Sequence, residues 1–118
     1  MSGALLGVGV DVVSVERIAR VRSRRDLMPL VCASEELEEP MNAVRAARLW
    51  SGKEAVAKAL GTGFWQEGVE WRDVRFDAQW AVSCHGHAAK LLRGASLIVE
   101  FRQDGDRVLA VALRFAPV

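Results

Sequence analysis

Residues 42–63 read NAVRAARLWSGKEAVAKALGTG, the longest stretch with a helical pattern in the 118-residue chain. Alanine is the strongest helix former, Asn42 is a capping residue type just ahead of the run, and Gly61 or Gly63 offers the left-handed position that closes a helix. The spacing predicts a helix over 43–60. Its chemistry is not that of plain core, because Lys53, Glu54 and Lys58 fall within six residues among alanines and a valine. Glu54 and Lys58 are four apart in the favourable order and share a face, with Trp50 one turn earlier on the same side. Taken alone, such a pair describes a solvated surface as readily as a site.

Upstream, residues 4–13 are glycine-bearing and β-branched with no helical period, which predicts a buried strand. Ser14 can cap a following helix through VERIARVRS, with Glu16 in its first turn and Val15, Ile18 and Val21 or Arg22 on one face. Arg17, Arg20 and Arg24 then form a stripe on the other face, flanked by Arg22 and Arg25. Residues 26–41 read as a short helix around 26–31 and another from Ser34 that Pro40 stops. Downstream, WRDVRFDA and WAVSC alternate as strands, HAAKLLRG reads as a short helix ended by Gly94, and DGD joins ASLIVEFRQ to RVLAVALRF as a hairpin. The order predicts an α+β fold: a mainly antiparallel sheet packed on one long central helix, within a single domain over 1–118.

The bulk numbers exclude several classes. Net charge is +1, and the five arginines of 17–25 lack the aromatic interleaving and wider basic surface of a nucleic-acid binder. They would instead suit an acidic partner. No apolar run reaches membrane-spanning length, and the first residues lack the basic leader of a signal peptide. Two distant cysteines make no disulfide framework. The expected compartment is a reducing cytoplasm.

Asp11 lies among small and apolar residues in GVGVDVVSVERI, where a carboxylate must be paired, hydrogen-bonded or bound to a cation. The strand alone leaves open whether it caps the next helix, meets an arginine or holds a metal. Together, GVGVDVVSVERI and, about forty residues on, WSGKEAVAKALGTG resemble the two motifs of the phosphopantetheinyl transferase superfamily. The likeness is closest to its small holo-acyl-carrier-protein synthase branch. Trp50, Ser51, Lys53, Glu54, Ala55 and Lys58 occupy the second motif without a gap, and KALGTG is typical of that branch.

The resemblance implies transfer of the phosphopantetheine arm of coenzyme A to a serine of an acyl carrier protein of fatty acid or polyketide synthesis. It implies Mg²⁺ held by Asp11 and Glu54, with those two and Lys58 at the centre of catalysis. Lys58 would either hold the pyrophosphate or steady the leaving group. Lys53, Gly61, Thr62, Gly63 and Ser96 are the further candidate contacts to coenzyme A. Arg17, Arg20 and Arg24 would dock the carrier protein, and a homotrimer is the expected assembly.

The resemblance is broken at one place. The branch carries Ser-His-Asp in its penultimate strand, and the corresponding stretch is read as SLIVEF, with Ser96 in the first position, Val99 where histidine is expected and Glu100 for the acid. The base for the carrier serine would then be a water of the metal's shell, Glu54 or Glu100. The alternative function is a family member that binds carrier protein or acyl and coenzyme A groups without transferring the arm. CHGH, residues 84–87, is too tightly spaced for a complete zinc site and reads as a helix start beside a buried thiol.

Overall fold

The computed structural model describes residues 3–38, 40–62 and 69–118. Strand β1 (Leu5–Ser14) leads into α1 (Val15–Arg24), the single turn α2 (Met28–Val31) and the long helix α3 (Ala43–Ala59). Two short strands follow, β2 (Val74–Phe76) and β3 (Val82–Cys84), then α4 (Gly86–Leu92) and the hairpin of β4 (Ser96–Asp104) with β5 (Arg107–Phe115). The main sheet is antiparallel in the order β1-β5-β4, and β2 and β3 pair separately.

The sequence signals act locally as expected. Asn42 caps α3 by accepting from Arg45 N at 2.8 Å. Gly61, at φ +82°, closes it, with Gly61 N donating to Lys58 O and Thr62 N to Ala57 O. Gly105 takes φ +57° at the first central position of the two-residue β4–β5 turn, where a type II′ hairpin needs glycine. Two stretches are less regular than their alternation implied. Trp71–Asp73 is a 3-10 turn, so WRDVRFDA yields only three strand residues, and the turn from Ser34 ends at Glu36 rather than running to Pro40.

α3 lies across one face of the sheet over β1 and β5. The sheet presents small side chains there: β5 offers Val108, Ala110 and Ala112, all buried, and β1 offers Gly7 and Gly9. A Cβ on Gly9 would fall 1.8 Å from Ala55 O, and one on Gly7 would fall 2.3 Å from Ala59 O. Helix backbone therefore rests directly on strand backbone, an approach open only to glycine. Below α3 on its other flank, Phe76 and Trp80 each pack edge to face on Phe101, and Trp50 stacks at a tilt on Trp71 with centroids 4.5 Å apart.

The opposite face of the sheet is uncovered in the protomer. Val8, Val10, Val12 and Ile98 are each about half exposed there, beside Leu109, Val111 and Leu113 of β5. No helix of the described residues is long and apolar enough to cross a membrane.

Candidate active site

The glycine contact decides what faces what. Gly7, Gly9 and Asp11 alternate onto the helix side of β1, so the close approach of α3 at Ala55 and Ala59 brings Glu54 and Lys58 against Asp11. Lys58 Nζ donates to Asp11 Oδ1 at 3.2 Å and to Val10 O at 3.0 Å. The second carboxylate oxygen, Asp11 Oδ2, is buried with no hydrogen-bond partner among the described residues. Glu54 accepts no hydrogen bond from the described residues, and it feels the charges of Asp11 and Lys58.

The electrostatics follow. Burial raises the Asp11 carboxyl above its ordinary range, and the Lys58 bond and charge offset only part of that. Burial also raises Glu54, the Asp11 charge raises it further, and Lys58 pulls the other way. Two half-buried acids against one lysine leave an excess of negative charge with a vacant lone pair at its centre. A hard divalent cation would satisfy such a pair. Among the described residues no cluster of three or more His, Cys, Asp or Glu could hold a metal, so protein oxygens alone would leave most of a cation's shell to phosphate and water. The donor set fits Mg²⁺, which keeps waters and takes one or two carboxylates plus substrate phosphates.

Gly61 is exposed just past the helix end and Thr62 is half-buried beside it, both one turn from Lys58. Gly63 lies outside the described residues. Lys53 is corrected from a coenzyme A contact to a core residue. Its ammonium is fully buried, bonded to Glu36 Oε1 at 2.8 Å, Trp71 O at 3.1 Å and Val74 O. Three donors are spent, so none remains for a phosphate.

Ser96 lies well away from the Asp11 cluster along the sheet. It starts β4 opposite Phe115, whereas Asp11 pairs with Ala110 and Ala110 with Phe101. Five residues of strand put Ser96 roughly 17 Å along the sheet from the level of Asp11. Val99 faces the core, and Glu100 lies on the uncovered face, across the sheet from Asp11. Neither can serve the Asp11 cluster of its own protomer. The β4 residues level with Asp11–Val13 are Phe101, Arg102 and Gln103.

On α1, Arg17, Arg20 and Arg24 are exposed and border a shallow groove of about 180 Å³ with Val21. Arg22 turns away, donating to Met41 O and pairing with Asp26. Beside the stripe an apolar recess of about 440 Å³ opens between α1, β1 and α3, lined by Ile18, Val21, Leu27, Met28 and Trp50. His85 precedes α4, with its Nε2 2.9 Å from Ser83 Oγ, and Cys84 is a free thiol pushed up to about 11 by burial and by Asp73. Sequence reasoning missed Glu36 and also Asp106, which holds the start of α1. A run of four glutamates and a turn motif gave no signal of either partner.

Comparison with known proteins places this geometry. The profile of the 4′-phosphopantetheinyl transferase superfamily matches residues 7–112. A holo-acyl-carrier-protein synthase from Acidithiobacillus ferrooxidans is 37% identical over 101 residues, covering 76% of this chain and 78% of that protein. The crystal structure of a holo-acyl-carrier-protein synthase from Neisseria meningitidis superposes with a TM-score of 0.77 at 30% identity, over 93% of this chain and 98% of that one. A coenzyme A complex of the Chronobacterium ammoniagenes synthase superposes with a TM-score of 0.70 at 26% identity, over 94% and 98% of the two chains.

Proposed function

We propose the following reaction for this chain, which belongs to the 4′-phosphopantetheinyl transferase superfamily and, within it, is an enzyme of the small holo-acyl-carrier-protein synthase branch. It moves the phosphopantetheine arm of coenzyme A onto a serine hydroxyl of an acyl carrier protein and releases adenosine 3′,5′-bisphosphate. The observation that carries this is the convergence of Asp11, remote in sequence, with Glu54 and Lys58 where α3 rests on the glycines of β1.

Asp11 and Glu54 would hold Mg²⁺. When bound, the ion polarises the phosphoryl group under attack and offsets charge on the departing phosphate. Lys58 is half exposed on a flexible stem, so it can leave Asp11 and bond a phosphate oxygen. Gly61 and Thr62 present backbone close to the same place, where coenzyme A would lie. Arg17, Arg20 and Arg24 would meet the acidic surface of the carrier, and the recess at Ile18 and Trp50 beside them suits one of its apolar side chains.

The uncovered apolar face of the sheet supports a homotrimer, since a second copy would remove Val8, Val10, Val12 and Ile98 from water. The chain acts as a single domain in the cytoplasm, with Cys32 and Cys84 as free thiols.

Mass spectrometry of apo carrier protein incubated with coenzyme A, Mg²⁺ and this enzyme tests the reading. The carrier gains the mass of phosphopantetheine, and both Asp11→Ala and Glu54→Ala abolish the gain. Full transfer by either variant would refute the metal assignment. No gain on any carrier, with carrier binding retained, would refute transfer itself.

A further inference from the structure

α1 has no buried residue, and so little packing holds it to the rest of the molecule. Its first turn is nevertheless fixed at every donor. Val15 N donates to Asp106 O at 2.7 Å, and Glu16 N to Asp106 Oδ1 at 2.9 Å. Arg17 N donates to Ser14 Oγ at 3.1 Å, and that hydroxyl donates to Asp106 Oδ2. A helix usually caps itself from its own N-cap residue. Here the cap is a relay whose anchor comes from the β4–β5 turn, ninety-two residues away from Ser14.

The anchor sits where the two halves of the proposed reaction meet. Ser14 ends the strand that carries Asp11 three residues earlier, and Arg17 opens the arginine stripe three residues later. The hairpin, rigid and wound by Gly105, thus fixes α1 against the sheet. Downstream, α1 is held by Ile18 against the core and by Arg22 on Met41 O. Neither of these fixes the helix start. A carboxylate at that end also complements the helix dipole.

We propose that Asp106 is a positioning residue for the protein substrate: through Ser14, Val15 and Glu16 it sets the orientation of α1, and so of Arg17, Arg20 and Arg24, relative to Asp11. The proposal rests on the docking role assigned to α1 above. It separates the two substrates, because among the described residues the bonds of Asp106 go to Ser14, Val15 and Glu16 and its nearby charges are Arg107 and Arg20, none of them in the coenzyme A half of the proposed site.

Steady-state transfer to apo carrier protein tests it, with the carrier and coenzyme A varied in turn. Losing a cap of this kind is expected to raise the carrier KM of Asp106→Ala about fivefold while kcat and the coenzyme A KM hold. Asp106→Asn keeps the backbone carbonyl and one side-chain oxygen for Glu16, so it recovers most of the loss. An unchanged carrier KM in a folded Asp106→Ala, or an equal rise in both KM values, overturns the proposal. Arg20→Glu with Arg24→Glu is the control for the docking reading. If the control leaves the carrier KM unchanged, the docking reading fails and the proposal with it. If only the control raises it, the proposal alone fails. Should Asp106→Ala not fold, Ser14→Ala removes the relay without touching the hairpin. It is expected to speed amide exchange at Arg17, leave α3 protected and raise the carrier KM, and an unchanged KM overturns the proposal.

Discussion

Lys53 and Glu54 are neighbours on α3, and the fold treats them in opposite ways. The Lys53 ammonium is sealed from water and met by Glu36 and two backbone carbonyls. Glu36 is satisfied in turn, accepting from Ala33 N at 2.9 Å and Phe76 N at 3.0 Å. About 100° around the helix, Glu54 has no hydrogen-bond donor among the described residues and faces a second acid. The first arrangement ties the 33–36 turn, β2 and α3 into one body. The second leaves charge uncompensated at a surface that a cation and a phosphate can reach. Charge that is fully answered inside the chain holds structure, and charge left unanswered marks where a ligand completes the chemistry.

Breaking the sealed side should have the largest effect. Glu36→Ala leaves the Lys53 ammonium buried against two carbonyls, and removing one partner of such a pair costs about 3–5 kcal/mol. Thermal melting should show a large drop, or no folded protein at all. Replacing both partners, Glu36→Leu with Lys53→Met, should restore much of the stability because no charge is then stranded. Transfer activity in that double variant is the sharper readout. If it survives, Lys53 is not a phosphate contact, and if a well-folded double variant is dead, Lys53 serves the reaction and not the core alone.

The other side of the comparison predicts a loss that is chemical and not structural. Glu54→Gln keeps the shape of the side chain and removes a charge that burial and Asp11 both disfavour. Transfer should fall by at least about a hundredfold, the scale of losing one electrostatic contact in an active site. Melting of the metal-free protein should hold steady or rise. A variant that melts well below wild type would show that Glu54 supports the fold as Lys53 does, and the contrast would collapse.

How much of this could be read in the sequence depends on how far apart the partners lie. Caps and turns act within a few residues, so Asn42, Ser14 and the Gly105 hairpin were legible, and so was the α+β order. Asp11 and Glu54 were legible as a pair only through the family motifs. Physically, what joins them is the alternation of Gly7, Gly9 and Asp11 onto one face, which lets α3 descend to backbone contact. Glu36 was not legible. Glu35, Glu36 and Glu38 read alike in sequence, yet only Glu36 turns inward, because the 3-10 turn at 34–36 aims it at Lys53 while Glu35 pairs with Arg75 outside. The position of Ser96 was not legible either. The turn fixes how β4 pairs with β5, but what lies level with Asp11 depends on how β1 pairs with β5 as well.

The smallest effect is a pH dependence, and its sign separates the two regions further. Asp11 and Glu54 both hold protons to higher pH in the folded state than in the unfolded chain. Between the unfolded and folded values the native protein binds more protons, so their contribution to stability rises as pH falls through the folded values and levels off below the unfolded ones. Other carboxylates confuse the total, because Asp26 is held low by Met28 N and Arg22 and so contributes in the opposite sense. The difference between Glu54→Gln and wild type isolates the group. Any lead the metal-free variant has in melting temperature near neutral pH should shrink as acid protonates Glu54 in the wild type. Saturating Mg²⁺ should reverse the lead at neutral pH, since only the wild type retains both acids to bind it. Acid should then remove that gain, because protons and the ion compete for the same oxygens. A gap that widens in acid, or that Mg²⁺ does not alter, would mean that Glu54 is no more exposed to a ligand's demand than Lys53 beside it.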